Sequence, residues 1–378
     1  MIESMKPGGS TATVDLALDN VPERRLRELD GWRAVSVLLV IVHHIAYYQH
    51  GRPLSLVPSL SHMVLYFGPL GVKIFFVISG FVICRLLLLE ESGFGSISLK
   101  AFYCRRVFRI LPPFYIYLTA VTLLFCFGLI HQTRKEIVSA ALFLYDIHSG
   151  PQSWHVGHTW SLAVEEQFYL LFPTTLVLLP RRWRRFAFLG VFFLCAAWAA
   201  SMVYTGQNSR VSFNVRAGFT CIACGVLMAL HERHLRPLAK AVPALVVALV
   251  GLTLLVHPLA SDTYTWWVAL YETLFVPPAI GLVLLFSLER APSLRAVLCS
   301  GPVQAVGLTS YGIYLWQQLF TAPKQYFSGP GEMIPMLLPM LCLVVPLSYF
   351  LVEKPAIAYG KSLSRQLRKI PIDRASRS

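Results

Sequence analysis

Charged side chains are scarce in this 378-residue chain. Asp, Glu, Lys and Arg together make up 14% of it, against about 25% in a typical soluble domain. Hydrophobic residues make up 56%, and the mean hydropathy is +0.59. This composition excludes an ordinary soluble globular protein. It predicts an all-α, polytopic integral membrane protein.

The eight cysteines show no disulfide framework. Six of them lie in or at the ends of apolar runs, and Cys104 and Cys299 fall on the predicted inner side, where thiols stay reduced. Cys221 and Cys224 share a helix face, but no histidine or carboxylate accompanies them at ligand spacing. We interpret this pair as small packing residues and expect no metal site.

The N-terminal residues 1–29 are polar and lack the apolar core and small-residue cleavage site of a signal peptide. We therefore expect a cytoplasmic N-terminal segment over 1–29, an uncleaved signal anchor as the first span, a transmembrane domain over 30–355, and a basic cytoplasmic tail over 356–378.

Apolar runs predict about ten transmembrane helices with both termini cytoplasmic. The run 137–147 is too short to cross and indicates a re-entrant or interfacial piece. Most of the 33 lysines and arginines then fall on the inner side, so the net charge of +14 reflects topology and not nucleic-acid binding. The predicted spans are 31–50, 63–84, 110–130, 158–180, 185–204, 213–230, 241–257, 265–288, 302–322 and 333–352.

The first span reads DGWRAVSVLLVIVHH and combines a charged start, including Asp30, with a histidine deep in the predicted bilayer. Arg33 and His44 are eleven residues apart, which is about three helical turns, so they share one face about 16 Å apart along the axis. His43 points roughly 80° away. An ionisable group at this depth indicates function. The alternative is a topology-setting arginine and an interhelical hydrogen-bonding histidine.

The second span carries Lys73 about halfway across the bilayer, together with Gly68, Gly71, Ser79 and Gly80, which allow close helix approach. An unpaired lysine at that depth is costly, so Lys73 requires a carboxylate partner or a wet cavity.

The connection after the second span reads FYCRRVFRILPPFY. Arg106 and Arg109 lie about one helical turn apart with Arg105 adjacent, and Pro112 and Pro113 are expected to break the helix. Such a cluster suits the phosphates of a coenzyme A thioester. An ordinary positive-inside loop is the alternative.

The fourth span places Glu165 and Glu166 inside an apolar helix, at about the predicted depth of His44. A carboxylate beside a histidine raises its basicity and fixes its tautomer, as a general base requires. The alternative is a pairing of one glutamate with Lys73 or an arginine. Glu272 is a possible acceptor contact, although its aromatic neighbours favour an interfacial belt.

These motifs together resemble the acyltransferase-3 family of bacterial membrane O-acyltransferases. The residues that carry the resemblance run from about Arg27 to Pro355. They read RELDGWRAVSVLLVIVHH, GVKIFFVISGF, RRVFRILPPFY, TWSLAVEEQFYLLFP, SYGIYLW and VEKP. The resemblance implies transfer of an acyl group, commonly acetyl, from cytoplasmic acyl-CoA to a hydroxyl of a carbohydrate, a glycolipid or another envelope-associated acceptor.

The family's arginine and histidine at eleven-residue spacing fall on Arg33 and His44, and its arginine pair on Arg106 and Arg109. Many members have a histidine where this chain has Gln317. Nothing after Pro355 resembles the extra soluble domain of some members. We expect a multi-pass protein of the bacterial inner membrane, in contact with lipid and without nucleic acid. The predicted catalytic residues are His44, Glu166, Glu165, Arg33 and Asp30, and the predicted donor-binding residues are Arg33, Arg105, Arg106, Arg109, Lys73 and Ser79.

In the expected mechanism, His44, polarised by Glu165 or Glu166, removes the proton of the acceptor hydroxyl as it attacks the thioester. A covalent acyl-histidine relay is the second version. A different class also stays open, namely a proton-coupled transporter or flippase in which His44, Lys73 and Glu166 form a relay.

Overall fold

The computed structural model describes residues 26–48, 58–148, 153–204, 210–241, 270–289, 291–328 and 334–369. These residues form helices joined by connecting segments. The only β pairing among them is one isolated antiparallel bridge between Ile130 and Phe327. The all-α prediction is confirmed. The predicted span 241–257 and most of the N-terminal segment lie outside the described residues.

Among the described residues, nine helices precede the gap that follows residue 241. They are α1 Arg27–Tyr48, α2 Pro58–Phe94, α3 Leu99–Cys126, α4 Arg134–Ala141, α5 Trp154–Gly157, α6 Thr159–Leu178, α7 Arg181–Tyr204, α8 Arg210–Leu230 and α9 Glu232–Ala241.

Six more helices are described after that gap. They are α10 Val276–Glu289, α11 Pro292–Leu298, α12 Gly301–Leu308, α13 Ser310–Phe320, α14 Ile334–Ser348 and α15 Lys354–Lys369. A π-helical turn, Tyr271–Phe275, leads into α10, and another, Tyr349–Glu353, joins α14 to α15. The expected tail after Pro355 is therefore helical as far as Lys369.

Six apolar stretches among the described residues are long enough to cross a bilayer, which makes this a multi-pass membrane protein. The predicted span 302–322 is divided between α12 and α13 at Thr309. The run 137–147 is shared by the end of α4 and a short 3₁₀ turn, so it does not cross as one helix, as predicted. The six stretches are 27–46, 66–94, 99–126, 181–201, 271–288 and 341–368.

Helix α2 is the centre of the bundle and packs most extensively against α8 and α1. Close approach depends on glycine, because a Cβ atom at Gly80 would collide with the backbone carbonyl of Ile222, and one at Gly71 with that of Ser36. Small residues of this kind allow helix backbones to approach in a membrane. The predicted role of these two glycines is confirmed.

Pro112 and Pro113 do not end a helix, contrary to the prediction, because α3 continues through them to Cys126. Membrane helices tolerate proline where neighbouring groups compensate for the lost backbone bonds. Next to this proline pair, the hydroxyl of Tyr311 in α13 donates to the carbonyl of Ile110 at 3.0 Å. Arg106 and Arg109 therefore lie on a helix and not in a loop.

Candidate functional site

One face of α1 forms a wall of the candidate site. Val37 and Val40, which lie between Arg33 and His44 along this face, are each 4% exposed. His43 is turned away from it, since its ring lies against the backbone of Gly68 in α2. The predicted separation of the two histidines onto different faces is therefore confirmed.

A narrow, mostly apolar cavity follows this face of α1. Its α1 residues all lie between Arg33 and His44 in the sequence, so the cavity runs between the levels of those two side chains. It is bounded by α1, α2, α6, and the start of α13. The lining residues are Ser36, Val37, Val40, Gly71, Val72, Phe75, Ser161, Leu162, Glu165, Ser310, Tyr311 and Tyr314.

Three arginines meet at one end of this arrangement. Arg33 pairs with Asp30 at 3.3 Å, and its charge interacts with those of Arg106 and Arg109. The Arg106 guanidinium lies 5.0 Å from the ring centre of Tyr169. Among the described residues, neither Arg106 nor Arg109 forms a hydrogen bond or salt bridge with a carboxylate. Guanidinium groups arranged in this way can bind a phosphate-bearing molecule.

Arg105 differs from Arg106 and Arg109 in having a carboxylate partner. Its place among the donor-binding residues stays a prediction. Arg105 forms a salt bridge with Glu90 of α2 at 3.1 Å, and Glu90 also pairs with Arg368 of α15. Successive helical residues point about 100° apart, so Arg105 and Arg106 leave α3 in different directions. Arg105 therefore ties α3 to α2.

The two glutamates of α6 do not contact His44, and the predicted glutamate–histidine hydrogen bond is wrong. Glu165 is 6% exposed and accepts hydrogen bonds from Ser79 at 2.5 Å and from Tyr169. Ser79 therefore uses its hydroxyl proton in its bond to Glu165, and its donor-binding role stays a prediction. The charge of Glu166 interacts with that of Arg106. Both glutamates therefore belong with the arginine end of the site.

Lys73 forms a buried ion pair with Glu272. The two residues are 4% and 1% exposed, and the pairing satisfies the predicted need of Lys73 for a carboxylate. The predicted donor-binding role of Lys73 stays a prediction. Glu272, interpreted from the sequence as an interfacial residue, lies inside the bundle because a buried ammonium compensates its charge.

His44 has an amide as its partner. Its Nδ1 lies 2.9 Å from Oε1 of Gln317 in α13, and its ring packs edge-on against Trp154 at 5.3 Å between ring centres. Gln317 is fully buried and Gln318 is 4% exposed. Gln317, at the position where the family resemblance implies a histidine in many members, therefore contacts His44 directly.

The direction of the hydrogen bonds around His44 follows from a backbone carbonyl. The carbonyl of Trp154 can only accept, so Gln318 presents its amide NH₂ to it, at 2.8 Å. Gln318 Oε1 then accepts from the Gln317 amide at 3.0 Å, which leaves Gln317 Oε1 to accept from His44 Nδ1–H. His44 is thereby held in the tautomer whose Nε2 carries a lone pair.

Sequence reasoning did not find several residues of this site. Gln317 and Gln318 lie in a helix whose polar and aromatic pattern does not by itself indicate a functional site. Glu353 is 3% exposed beneath Gly312, and its charge interacts with that of Arg109. The VEKP segment that contains Glu353 was the available signal.

A family model described as an acyltransferase domain matches residues 26–353, which is most of the chain. The chain belongs to the acyltransferase-3 family. As an acyltransferase, it carries the arginines and His44 of the described site within the matched region.

Curated relatives of this acyltransferase bear related names. It is 28% identical to the "Putative membrane-bound transacylase BcsY" of Komagataeibacter xylinus, over 90% of this chain and 85% of the relative. It is also 28% identical to the "Putative peptidoglycan O-acetyltransferase YrhL" of Bacillus subtilis and to a "Putative O-acetyltransferase" of Staphylococcus aureus. The matches span only 57% and 60% of those two proteins. No solved structure matches the chain.

Proposed function

We propose that this acyltransferase moves an acetyl group from cytoplasmic acetyl-CoA to a hydroxyl of a carbohydrate or glycolipid acceptor in the bacterial inner membrane. The arginine group is defined as Arg33, Arg106 and Arg109. The observation that carries the proposal is the apolar cavity lined on α1 by Ser36, Val37 and Val40, which lie between Arg33 and His44 along that helix. Two relatives named as O-acetyltransferases support the same reaction.

The arginine group has the chemistry to bind the donor's phosphates. Three positive charges interact there, and Arg109 is exposed to a ligand. Phosphate oxygens accept paired hydrogen bonds from guanidinium groups, which makes arginine suited to a diphosphate. Asp30 orients Arg33 through their salt bridge.

The cavity has the chemistry to hold the pantetheine arm. Arg33 and His44 are separated by about 16 Å along α1, which is the scale of an extended pantetheine, and the lining between them is mostly apolar. A thioester threaded along this path from the arginine group reaches the level of His44. The same apolar lining limits the access of water, which protects the thioester from hydrolysis.

His44 then acts as the general base through Nε2. The acceptor hydroxyl gives its proton to Nε2 while its oxygen bonds to the thioester carbonyl carbon. The carbon–sulfur bond breaks, and the departing thiolate takes the proton from the imidazolium. Gln317 holds the ring throughout through Nδ1–H. In the relay version, Nε2 first attacks the carbonyl carbon itself, and the same tautomer is required.

The transporter alternative loses its proposed relay in this geometry. That relay requires His44, Lys73 and Glu166 to communicate, but Lys73 is paired with Glu272 and Glu166 lies with Arg106. No contact between any two of the three relay residues is found among the described residues.

Acceptor-dependent release of CoA tests the proposed function. The purified protein, reconstituted in lipid nanodiscs, is given acetyl-CoA with and without a glycan-lipid extract of the native envelope, and free thiol is measured. The expected result is thiol release that requires both substrates, with acetate ester appearing in the extract. Saturable acetyl-CoA binding without ester formation would contradict transfer, and absence of that binding would contradict the donor assignment.

A further inference from the structure

Two buried histidines beside His44 have no hydrogen-bond partner in the described part of the chain. His155 is fully buried and His158 is 4% exposed, and both ring nitrogens of each are unpaired. A buried polar atom without a partner costs about 1–3 kcal/mol. Four such atoms on two neighbouring rings are therefore available for hydrogen bonds to a bound ligand.

These histidines continue from His44 on the side away from the arginine group. His158 interacts electrostatically with both His44 and His155, so the three rings follow one another. The backbone carbonyl of His158 accepts from the Tyr314 hydroxyl at 3.0 Å, and Tyr314 lines the cavity. A ligand at His158 therefore lies next to the end of the cavity at which the thioester is expected.

Aromatic rings surround the same histidines. Trp154, which packs on His44, has its ring centre 6.2 Å from that of Tyr326. The ring centres of His155 and Phe327 are 5.2 Å apart. Burial, helped by His131, lowers the pKa of His155 to about 4, so this imidazole is neutral at pH 7. A neutral imidazole offers one donor and one acceptor.

The unpaired imidazoles and the aromatic rings around them match a sugar ring better than a simple alcohol or a charged acceptor. Each sugar hydroxyl donates and accepts at once, as a neutral imidazole does, and the apolar C–H face of the ring packs on aromatic side chains. A single alcohol satisfies only part of this polar set. An anionic acceptor finds no cation among these groups.

The geometry points to an acceptor subsite formed by His155, His158 and Trp154, which binds neighbouring hydroxyls of a sugar ring and presents one of them to His44. This subsite rests on the proposed function, because it supplies the hydroxyl for that reaction.

The test compares His155→Phe and His158→Phe, each made separately, with His234→Phe as the control. Phenylalanine keeps the ring but removes the polar nitrogens, and His234 is exposed on α9. Release of CoA from acetyl-CoA is measured in nanodiscs against increasing octyl β-D-glucoside, with octan-1-ol as an acceptor that has the same tail and no sugar. Acetyl-CoA saturation and melting temperature are measured in parallel.

The wild type is expected to use octyl glucoside well above octanol. Each subsite variant should raise the half-saturating glucoside concentration by about tenfold or more, as expected for about 1.4 kcal/mol of lost binding. Acetyl-CoA saturation should stay the same. The melting temperature should hold or rise, because unpaired buried nitrogens have been removed. The control should match the wild type in all three measurements.

Three results would overturn the subsite. They are unchanged glucoside saturation in both variants, equal use of octanol and octyl glucoside by the wild type, and turnover of the wild type with the native extract but not with octyl glucoside. Failure of the wild type to bind acetyl-CoA, or to turn over with the native extract, would instead overturn the proposed function.

Discussion

His44 and Gln317 are joined by a hydrogen bond of 2.9 Å between Nδ1 and Oε1, across 273 positions of sequence. Because an amide oxygen only accepts, the bond keeps the proton on Nδ1 and leaves Nε2 as the basic nitrogen. An amide adds no charge, so Gln317 fixes the tautomer without the increase in basicity that a carboxylate gives.

Gln317→Leu should therefore lower the acetyl-transfer rate by roughly tenfold to a hundredfold, within the range for general-base assistance. Acetyl-CoA binding should change little, since Gln317 lies away from the arginine group. Gln304→Leu is the matched control, because Gln304 is 8% exposed and bonds only backbone carbonyls, of Arg27 and Leu298. Transfer assays per folded molecule should show a loss in Gln317→Leu alone. An equal loss in both variants would assign the effect to buried amides in general.

The arginine group predicts that substitutions at Arg106 and Arg109 affect acetyl-CoA binding differently from a substitution at the neighbouring Arg105. Arg106→Ala and Arg109→Ala should each weaken acetyl-CoA binding about tenfold or more, because a charged hydrogen bond to phosphate contributes about 1.5–3 kcal/mol. Arg105→Ala should leave that affinity unchanged, since Arg105 pairs with Glu90. Equilibrium binding of labelled acetyl-CoA checks this. Weakening by Arg105→Ala as large as by the other two would show that the cluster acts only through its total charge.

The pair of Lys73 and Glu272 predicts a non-additive effect on stability. Lys73→Met leaves a buried carboxylate alone, and Glu272→Gln leaves a buried ammonium alone, each at a cost of about 3–5 kcal/mol. The double variant removes both charges and should recover much of that loss. Thermal unfolding of the detergent-solubilised proteins should show both single variants melting well below the double variant. Additive losses would mean that the two charges do not interact.

A structural feature of this protein can be predicted from the sequence when it depends only on residues near each other in the chain. The spacing of Arg33 and His44 places both on one face, because helical period alone decides that. Gln317 could not be assigned from the same reasoning, since its contact with His44 joins two helices distant in the chain. The carboxylate partner of Arg105 could not be predicted either, because adjacent arginines look alike in sequence, whereas only the fold brings Glu90 to one of them.

The proline pair and the two glutamates also show the difference between a local sequence signal and a contact that only the fold creates. Pro112 and Pro113 carry a strong local signal for a break, yet α3 continues through them to Cys126. The depth of Glu165 and Glu166 was estimated from helical rise, but depth does not specify neighbours. Ser79 and Tyr169 donate hydrogen bonds to Glu165, and the charge of Arg106 interacts with that of Glu166.

The central claim is that His44 is the base and His43 is not. His43 packs on Gly68 of α2, whereas His44 lies beside Gln317 and Trp154. The decisive measurement is acetyl transfer by purified His44→Ala and His43→Ala, with acetyl-CoA binding measured on the same samples. His44→Ala should lose about a hundredfold to ten-thousandfold in rate while it still binds acetyl-CoA, and His43→Ala should stay active. A folded His43→Ala without activity, beside an active His44→Ala, would contradict the account.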